Sequence, residues 1–260
     1  MAGFHATGGT LGNARHQLSL MAKPNSIELR GVAPIPILYE DRSVLAIDKP
    51  RGWMLVPFSW QKTNRNLQAA IVSSISAGDF WARSRGLKFL RFVHRLDAET
   101  SGILLFAKSH GAVESYSALF ESRKMEKTYL AVVAGMPKQD TWSCRLKLAS
   151  DPKQIGRMKV DARDGKETET HFRVLQRGEN GSLLEVCPLT GRTHQIRVHS
   201  AQSGFPCIGD ELYGRAEKGV ELGLRAVRLA YSDPFTQRRV EINAPIEKFC
   251  AEFGFEVPVS

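Results

Sequence analysis

An uninterrupted apolar run, Gly102-Ile-Leu-Leu-Phe-Ala107, lies near the middle of the chain and limits the folds open to it. The absence of polar alternation predicts a strand buried on both faces, with a short buried helix as the alternative that periodicity alone leaves open. Asp97 precedes the run in a turn-like segment, close to His94 and Arg95. A carboxylate at the rim of a core strand, beside basic groups, is suited to act as a nucleophile or a base. The alternative is that Asp97 only caps the turn.

The size and charge of the chain narrow the functional classes. Its 260 residues are enough for one large domain or two small ones, and its net charge is +9. Such an excess of cations favours a polyanionic partner, with nucleic acid ahead of an acidic membrane surface. No apolar stretch approaches the ~20 residues of a transmembrane helix. The four cysteines are widely spaced, so we expect no zinc site, no disulfide framework and a reducing, cytoplasmic location.

The N-terminal part of the chain differs from the rest. Residues 1–34 are polar and contain no apolar core of the kind found in signal peptides. They predict a flexible basic extension, which is either a weak organellar transit peptide or a disordered segment. Residues 35–260 are then expected to form a single domain.

Local patterns predict many strands and a few helices in that domain. Strands are expected at 35–39, 43–47, 128–134, 168–175, 182–189, 225–232 and 239–243, with a hairpin insertion in 137–165. Helices are expected at 66–76, capped by Asn64 or Asn66, at 111–124, and from a Thr190 or Thr193 cap to Gly204. Because strands and helices do not alternate regularly, this pattern indicates an α+β fold with a largely antiparallel or mixed sheet.

Three basic segments are candidate anion sites. Lys49 lies in a turn at a strand end, where it contacts phosphate or belongs to an ordinary exposed loop. The segment 80–96 interleaves cations with aromatic residues, which suits phosphate contacts and base stacking, or else a solvated face. Arg192, His194 and Arg197 lie at the start of the third predicted helix, and a helix N-terminus attracts anions.

Two long motifs make the chain similar to a known family. They are His94-Arg-Leu-Asp97 followed by Thr100-Ser-Gly102, and Gly191-Arg-Thr-His-Gln-Ile-Arg-Val-His199. Shorter matches are Asp48-Lys-Pro-x-Gly52, Glu126-Lys-Thr-Tyr129, Gly165-Lys166 with Thr170, and Gly209-Asp210 with Tyr213-Gly214. Together these segments, spread over residues 37–244, resemble the RNA pseudouridine synthases of the RluA type.

The resemblance implies the pseudouridine synthase fold and a cofactor-free isomerisation of uridine in ribosomal or transfer RNA. The base is detached from C1′ of its ribose and reattached through C5. Asp97 matches the family's catalytic aspartate, Arg197 its ion-pair partner, and Tyr129 the aromatic residue that stacks on the target base. Arg95 matches a residue that fills the space left by the flipped base. Asp97 either attacks C1′ or removes a ribose proton to give a glycal, and the sequence leaves both routes open.

The remaining expectations concern RNA and other partners. His94, Arg192, His194 and Lys49 are expected to contact RNA together with Arg95. We expect no metal, no membrane, no obligatory protein partner, a monomer, and no S4-like domain ahead of the catalytic domain.

Two residues depart from the family pattern. Arg225 stands where many members have histidine, and Asp48 replaces the commoner asparagine. The alternative function is a non-catalytic RNA-binding protein that retains the synthase fold. The intact set of Asp97, Tyr129 and Arg197 argues against that alternative.

Overall fold

A computed structural model describes residues 22–55, 65–215 and 219–258 of the chain. The strands within these ranges are β1 (Ser26–Ile27), β2 (Ile35–Glu40), β3 (Val44–Lys49), β4 (Arg91–Phe92), β5 (Ser101–Ala107), β6 (Glu126–Val133), β7 (Thr141–Ser150), β8 (Met158–Val160), β9 (Lys166–Gly178), β10 (Gly181–Pro188), β11 (Leu224–Ser232) and β12 (Arg239–Asn243). The helices are α1 (Leu67–Ala77), α2 (Phe80–Arg83), α3 (His110–Glu121), α4 (Gln195–Gln202) and α5 (Glu247–Glu252). None of these helices is long and apolar enough to cross a membrane.

The strands form one mixed sheet in the order β1-β2-β3-β5-β11-β6-β10-β9-β7-β8. Strand β4 also pairs with β5, and β12 with β11. Strands β5 and β11 run parallel, whereas the other paired strands are antiparallel. The predicted hairpin insertion contains β7 and β8, which extend one edge of the sheet. The α+β class with a largely antiparallel, mixed sheet is confirmed.

The apolar run forms β5, in which every residue is buried. The strand prediction is therefore confirmed, and the alternative of a short helix is wrong. Leu104 and Phe106 pack in one core cluster with residues of α1 and α2. Ile103 and Leu105 pack on the opposite face, against residues of α3. Because helices cover both faces of β5, the strand has no polar side, which accounts for the unbroken apolar sequence.

The two halves of the sheet meet at a short junction. Strand β5 pairs with β11 only where Ser101 and Gly102 lie beside Arg225 and Ala226, and we call this junction the seam. The Arg225 guanidinium donates hydrogen bonds across it to Ser101 Oγ, at 3.3 Å, and to Asp48 Oδ2, at 2.7 Å. The two residues that depart from the family pattern, Asp48 and Arg225, are therefore ion-pair partners.

Replacing Gly102 by alanine is expected to destabilise the protein by about 3 kcal/mol or more. Gly102 has a φ of +106°, and a Cβ there would overlap the carbonyl oxygen of Ala226. The free energy of unfolding from urea titration measures the effect. Gly111→Ala is the matched control, because Gly111 lies in α3 with no atom near its Cβ position. That variant should be as stable as the parent or more stable, and equal stabilities of the two variants would contradict the prediction.

The predicted helix boundaries agree with α1 and with the start of α3. They do not agree with the end of α3, which is Glu121 rather than residue 124, or with the start of α4. Asn66 caps α1 by accepting a hydrogen bond from Ala69 N. At α4 the N-cap is His194, with a φ of 53° and no side-chain cap. The prediction that Thr190 or Thr193 caps this helix is wrong. The Thr190 hydroxyl instead donates to Gln195 Oε1 at 2.7 Å.

The predicted extension over 1–34 is only partly described, since residues 1–21 lie outside the described ranges. Ser26 and Ile27 form β1 on the edge of β2, and Ile27 is fully buried. The described part of the extension is therefore packed against the domain rather than loose. Residues 26–27 are held by backbone hydrogen bonds to β2, and the polar sequence around them does not predict this pairing.

Candidate active site

A cavity of about 410 Å³ lies at the N-terminal end of β5. Residues of the segment before β5, the end of α3, the start of β6 and the start of α4 line it. Asp97, Tyr129 and Arg197 all belong to this lining, although they are far apart in the sequence. The structure thus brings together the three residues that the sequence predicts to be catalytic.

Asp97 presents a free carboxylate to the cavity. The turn that contains it is closed by the backbone, where Thr100 N donates to Asp97 O at 3.2 Å. Its side chain, 16% exposed, has no hydrogen bond to any described residue within 3.5 Å, so it does not cap the turn. Its nearest cations are Arg197, with Nη1 3.6 Å from Oδ2, and His194, with Nε2 at 3.8 Å. The carboxylate is thus surrounded by donors and still available for a ligand.

Arg197 is held by a carboxylate that the sequence reasoning did not identify. Nε and Nη2 donate to the two oxygens of Asp210, at 2.8 and 2.7 Å, and both side chains are buried. Burial alone would raise the pKa of Asp210, but Arg197 and two backbone N–H groups hold it below the usual value. Nη1 of Arg197 is buried without a hydrogen bond among the described residues. The predicted ion pair with Asp97 is present at 3.6 Å on the remaining nitrogen, and Asp210 is a second carboxylate that holds the guanidinium by hydrogen bonds.

His194 faces Asp97 from the start of α4. Its Nδ1 lies 2.9 Å from the hydroxyl of Tyr213, which already accepts a hydrogen bond from Met158 N. In the tautomer in which this hydroxyl donates to Nδ1, the ring proton is on Nε2, on the side of Asp97. Burial lowers the pKa of His194, although Asp97 opposes the change. We therefore expect a neutral imidazole that offers Asp97 a proton donor.

Tyr129 contributes an aromatic ring to the cavity from β6. The ring is partly buried and packs against two core clusters. Burial, and after it the negative charge of Asp97, raises the pKa of the Tyr129 hydroxyl. The phenol is therefore neutral, and a fixed neutral ring beside a carboxylate suits the stacking of a base.

Lys49 is fully buried, which contradicts the predicted contact with RNA. Its Nζ donates to the carbonyl oxygens of Pro50, Ala98 and Thr100 at 3.1, 3.0 and 2.8 Å. Ala98 and Thr100 lie one and three residues after Asp97, so the ammonium fixes the loop that carries the carboxylate. Burial lowers the pKa of Lys49 to about 8, against the opposing charges of Glu99 and Asp97.

The stability of the parent relative to Lys49→Met is expected to rise with pH between about 8 and 10.5. The pKa of Lys49 falls from its usual 10.5 to about 8 in the folded state. In this window the unfolded chain binds more protons, so the cost of burying the ammonium is relieved as pH rises. Below about pH 8 the amine of Lys49 is charged in both the folded and the unfolded state, so the full cost of burying the ammonium is present. Urea titrations of both proteins should show a gain of about 1–3 kcal/mol, and a constant difference would contradict the prediction.

His94 is a packed, neutral residue rather than a cation for phosphate. Its Nε2 accepts a hydrogen bond from Leu105 N at 3.0 Å, and its ring stacks on Phe120 with centroids 4.5 Å apart. Burial, and to a smaller extent Lys127, lowers the pKa of His94 to about 3. The predicted role in RNA binding is therefore not supported by its surroundings, and the ring instead fastens the segment before Asp97 to β5.

Arg95 and Arg192 are exposed residues of the cavity lining. Neither forms an ion pair with another residue in the described parts of the chain. Their guanidinium groups are therefore available to phosphate, and their contacts with RNA stay predictions. Asp210 and Tyr213, by contrast, belong to a short match with the family, which gave neither of them a role.

Comparison with known proteins gives the same picture. The family model described as RNA pseudouridylate synthase matches residues 43–202. Ribosomal large subunit pseudouridine synthase C of Vibrio cholerae is 34% identical over 237 residues, which cover 86% of this chain and 70% of that protein. The uncharacterized RNA pseudouridine synthase YlyB of Bacillus subtilis is 33% identical over 238 residues, covering 90% and 74% of the two chains.

A solved structure extends the similarity to the fold. The human RNA pseudouridylate synthase domain containing 1 superposes with a TM-score of 0.67 at 26% sequence identity, covering 87% of this chain and 90% of that one. The family favours an enzyme over the alternative of a non-catalytic RNA-binding protein. The chain therefore belongs to the RNA pseudouridylate synthase family, whose members isomerise uridine in RNA to pseudouridine.

Proposed function

We propose that the protein isomerises uridine in large-subunit ribosomal RNA, with Asp97 as the reacting carboxylate. The observation that carries this proposal is the single cavity lined by Asp97, Tyr129 and Arg197. The choice of RNA is supported by the name of the Vibrio cholerae relative, which refers to the large ribosomal subunit.

The chemistry requires the uridine to leave the helical stack. Atoms C1′ and C5 are not accessible within a stacked strand, and extrusion costs a few kcal/mol. Stacking of the base on Tyr129 offsets part of that cost, at ~1–3 kcal/mol. The carboxylate of Asp97 then lies at the sugar, where it serves either a nucleophilic attack on C1′ or the removal of a ribose proton.

Arg197 and His194 orient the reacting carboxylate. The 3.6 Å separation between Arg197 Nη1 and Asp97 Oδ2 is longer than a hydrogen bond. Such contacts commonly shorten when substrate excludes water from a site. Because Asp210 holds the other two nitrogens, Arg197 moves little, and Asp97 is the group that adjusts.

Arg95 and Arg192, the exposed arginines of the cavity lining, are assigned to contacts with the RNA strand. Arg95 occupies the space that the extruded base leaves, and Arg192 contacts phosphate beside the cavity. Asp97, Tyr129 and Arg197 all line this cavity, so the proposed reaction needs no residue from a second copy or from another protein. Because ribosomal RNA is the proposed substrate, we propose that the enzyme acts in the cytoplasm.

Pseudouridine mapping of RNA from cells with and without the gene tests this proposal. We expect one or a few uridines of large-subunit ribosomal RNA to lose the modification in the deletion strain. Small-subunit ribosomal RNA and transfer RNA from the same cells are the internal controls. A change confined to transfer RNA would contradict the choice of substrate, and no change in any RNA would contradict the proposed activity.

A further inference from the structure

Helix α3 ends with an arginine in a conformation that favours glycine. Arg123 follows the C-cap residue Ser122 and has a φ of 60°. Arg123 N donates to Phe120 O, and Lys124 N donates to Leu119 O, which is the hydrogen-bond pattern of a Schellman motif. The left-handed position of this motif is usually glycine, because a Cβ there is strained.

The other helices of the described ranges follow the usual rule. Gly78 ends α1, Gly86 lies just beyond α2, Gly204 follows α4 and Gly254 follows α5, and each has a positive φ. At the end of α3 the backbone adopts the same left-handed conformation, but at an arginine instead of a glycine. The reason for an arginine at this position must therefore lie in its side chain and not in its backbone conformation.

That side chain is exposed at the active-site cavity. Lys127 lines the same cavity, and its Nζ donates to the carbonyl oxygen of Thr190 at 2.9 Å. The two cations are four residues apart and line the same cavity. Burial first, and the charge of Arg123 second, lower the pKa of Lys127 to about 8. Gly191 also lies beside them, where a Cβ would be 3.7 Å from Lys127 Nζ. The ammonium of Lys127 therefore lies beside the loop that begins the second long motif.

Neither cation has a counter-ion in the described ranges. The carboxylates of the cavity lining are Asp97 and Glu121, and neither lies within 4.0 Å of Arg123 or Lys127. Two adjacent positive charges without a carboxylate are unfavourable by themselves and favourable around an anion. A guanidinium and an ammonium that share one opening match the oxygens of a phosphodiester.

We propose that Arg123 and Lys127 form a phosphate-binding subsite for the RNA strand that carries the extruded uridine. The inference rests on the proposed function of the cavity, because only an RNA bound there brings a phosphodiester to this opening. The subsite fixes the strand next to the flipped nucleotide, where a contact adds affinity without reading sequence. Arginine is kept at the end of α3 because glycine, which would relieve the backbone strain, contacts no phosphate.

The test is Arg123→Gly, measured by binding to an unmodified transcript of large-subunit ribosomal RNA over a range of salt concentrations. We expect the dissociation constant to rise about tenfold and the salt slope of log K to fall by about 0.7 to 0.9. The thermal midpoint should rise by about 2–4 °C, because the strain is removed. Arg123→Lys should keep most of the affinity without the gain in midpoint.

Gln237→Gly is the matched control, since Gln237 has a φ of 59° and is exposed outside the cavity lining. It should raise the thermal midpoint and leave the affinity and the salt slope unchanged. An Arg123→Gly variant that is more stable and binds as tightly as the parent would overturn the subsite. Every RNA carries phosphates, so the salt slope tests the contact whether or not the parent protein modifies this transcript. A transcript that the parent does not modify would contradict only the choice of substrate.

Discussion

Asp97→Asn is expected to lower the rate of pseudouridine formation by about 10⁴-fold or more, as observed when a reacting group is removed from other active sites. The amide has nearly the same shape as the carboxylate but is neither a nucleophile nor a base. The side chain has no hydrogen bond to a described residue, and the turn is closed by Thr100 N. The variant should therefore fold normally and bind RNA with a strong salt dependence. Single-turnover mapping of the transcript measures the rate.

Glu99→Gln is the control for this variant. Glu99 is exposed and lies in the same loop, with Oε2 3.8 Å from Arg197 Nη1. It carries the same charge as Asp97, so its replacement reproduces the electrostatic change without removing the reacting group. We expect it to keep most of the activity. An Asp97→Asn protein that unfolds would restore the interpretation of Asp97 as a turn cap, and one that stays active would remove Asp97 from the chemistry.

Arg197→Met is expected to have the second large effect, on both activity and stability. The substitution leaves Asp210 buried without its cation, which costs about 3–5 kcal/mol of the free energy of unfolding. The rate should fall by about 10²- to 10³-fold, since Asp97 loses the guanidinium that faces it at 3.6 Å. Urea titration and single-turnover mapping measure the two effects separately.

The double variant Arg197→Met with Asp210→Asn separates the two roles of the arginine. Asparagine keeps the side-chain oxygen that accepts hydrogen bonds from Leu212 N and Tyr213 N but removes the buried charge. We expect much of the stability to return while the activity stays low. Recovery of both properties together would mean that Arg197 acts only by supporting the fold.

The sequence predicted the elements whose patterns are local. The unbroken apolar run of β5 predicted its burial on both faces. The two long motifs identified Asp97 and Arg197, and a shorter match identified Tyr129. The errors concern what each polar side chain faces. Lys49 appeared to be an exposed cation of a turn, whereas three carbonyl oxygens enclose it. Asp210 gave no signal of its own, because its partner is thirteen residues away and the pairing depends on tertiary packing.

The seam bears on how the enzyme is inactivated and unfolded by heat. Asp97 belongs to the half of the sheet that ends with β5, whereas Tyr129 lies on β6 and Arg197 on α4, beyond β11. Backbone pairing between the halves is limited to two residue pairs, reinforced by Arg225 and Asp48. The catalytic set is thus assembled across a boundary inside one domain, as an oligomeric enzyme assembles a site between subunits. One core cluster continues across this boundary, from Ile103 and Leu105 of β5 to Leu229 and Tyr231 of β11. The two halves are therefore expected to unfold together, and activity and secondary structure to be lost at the same temperature.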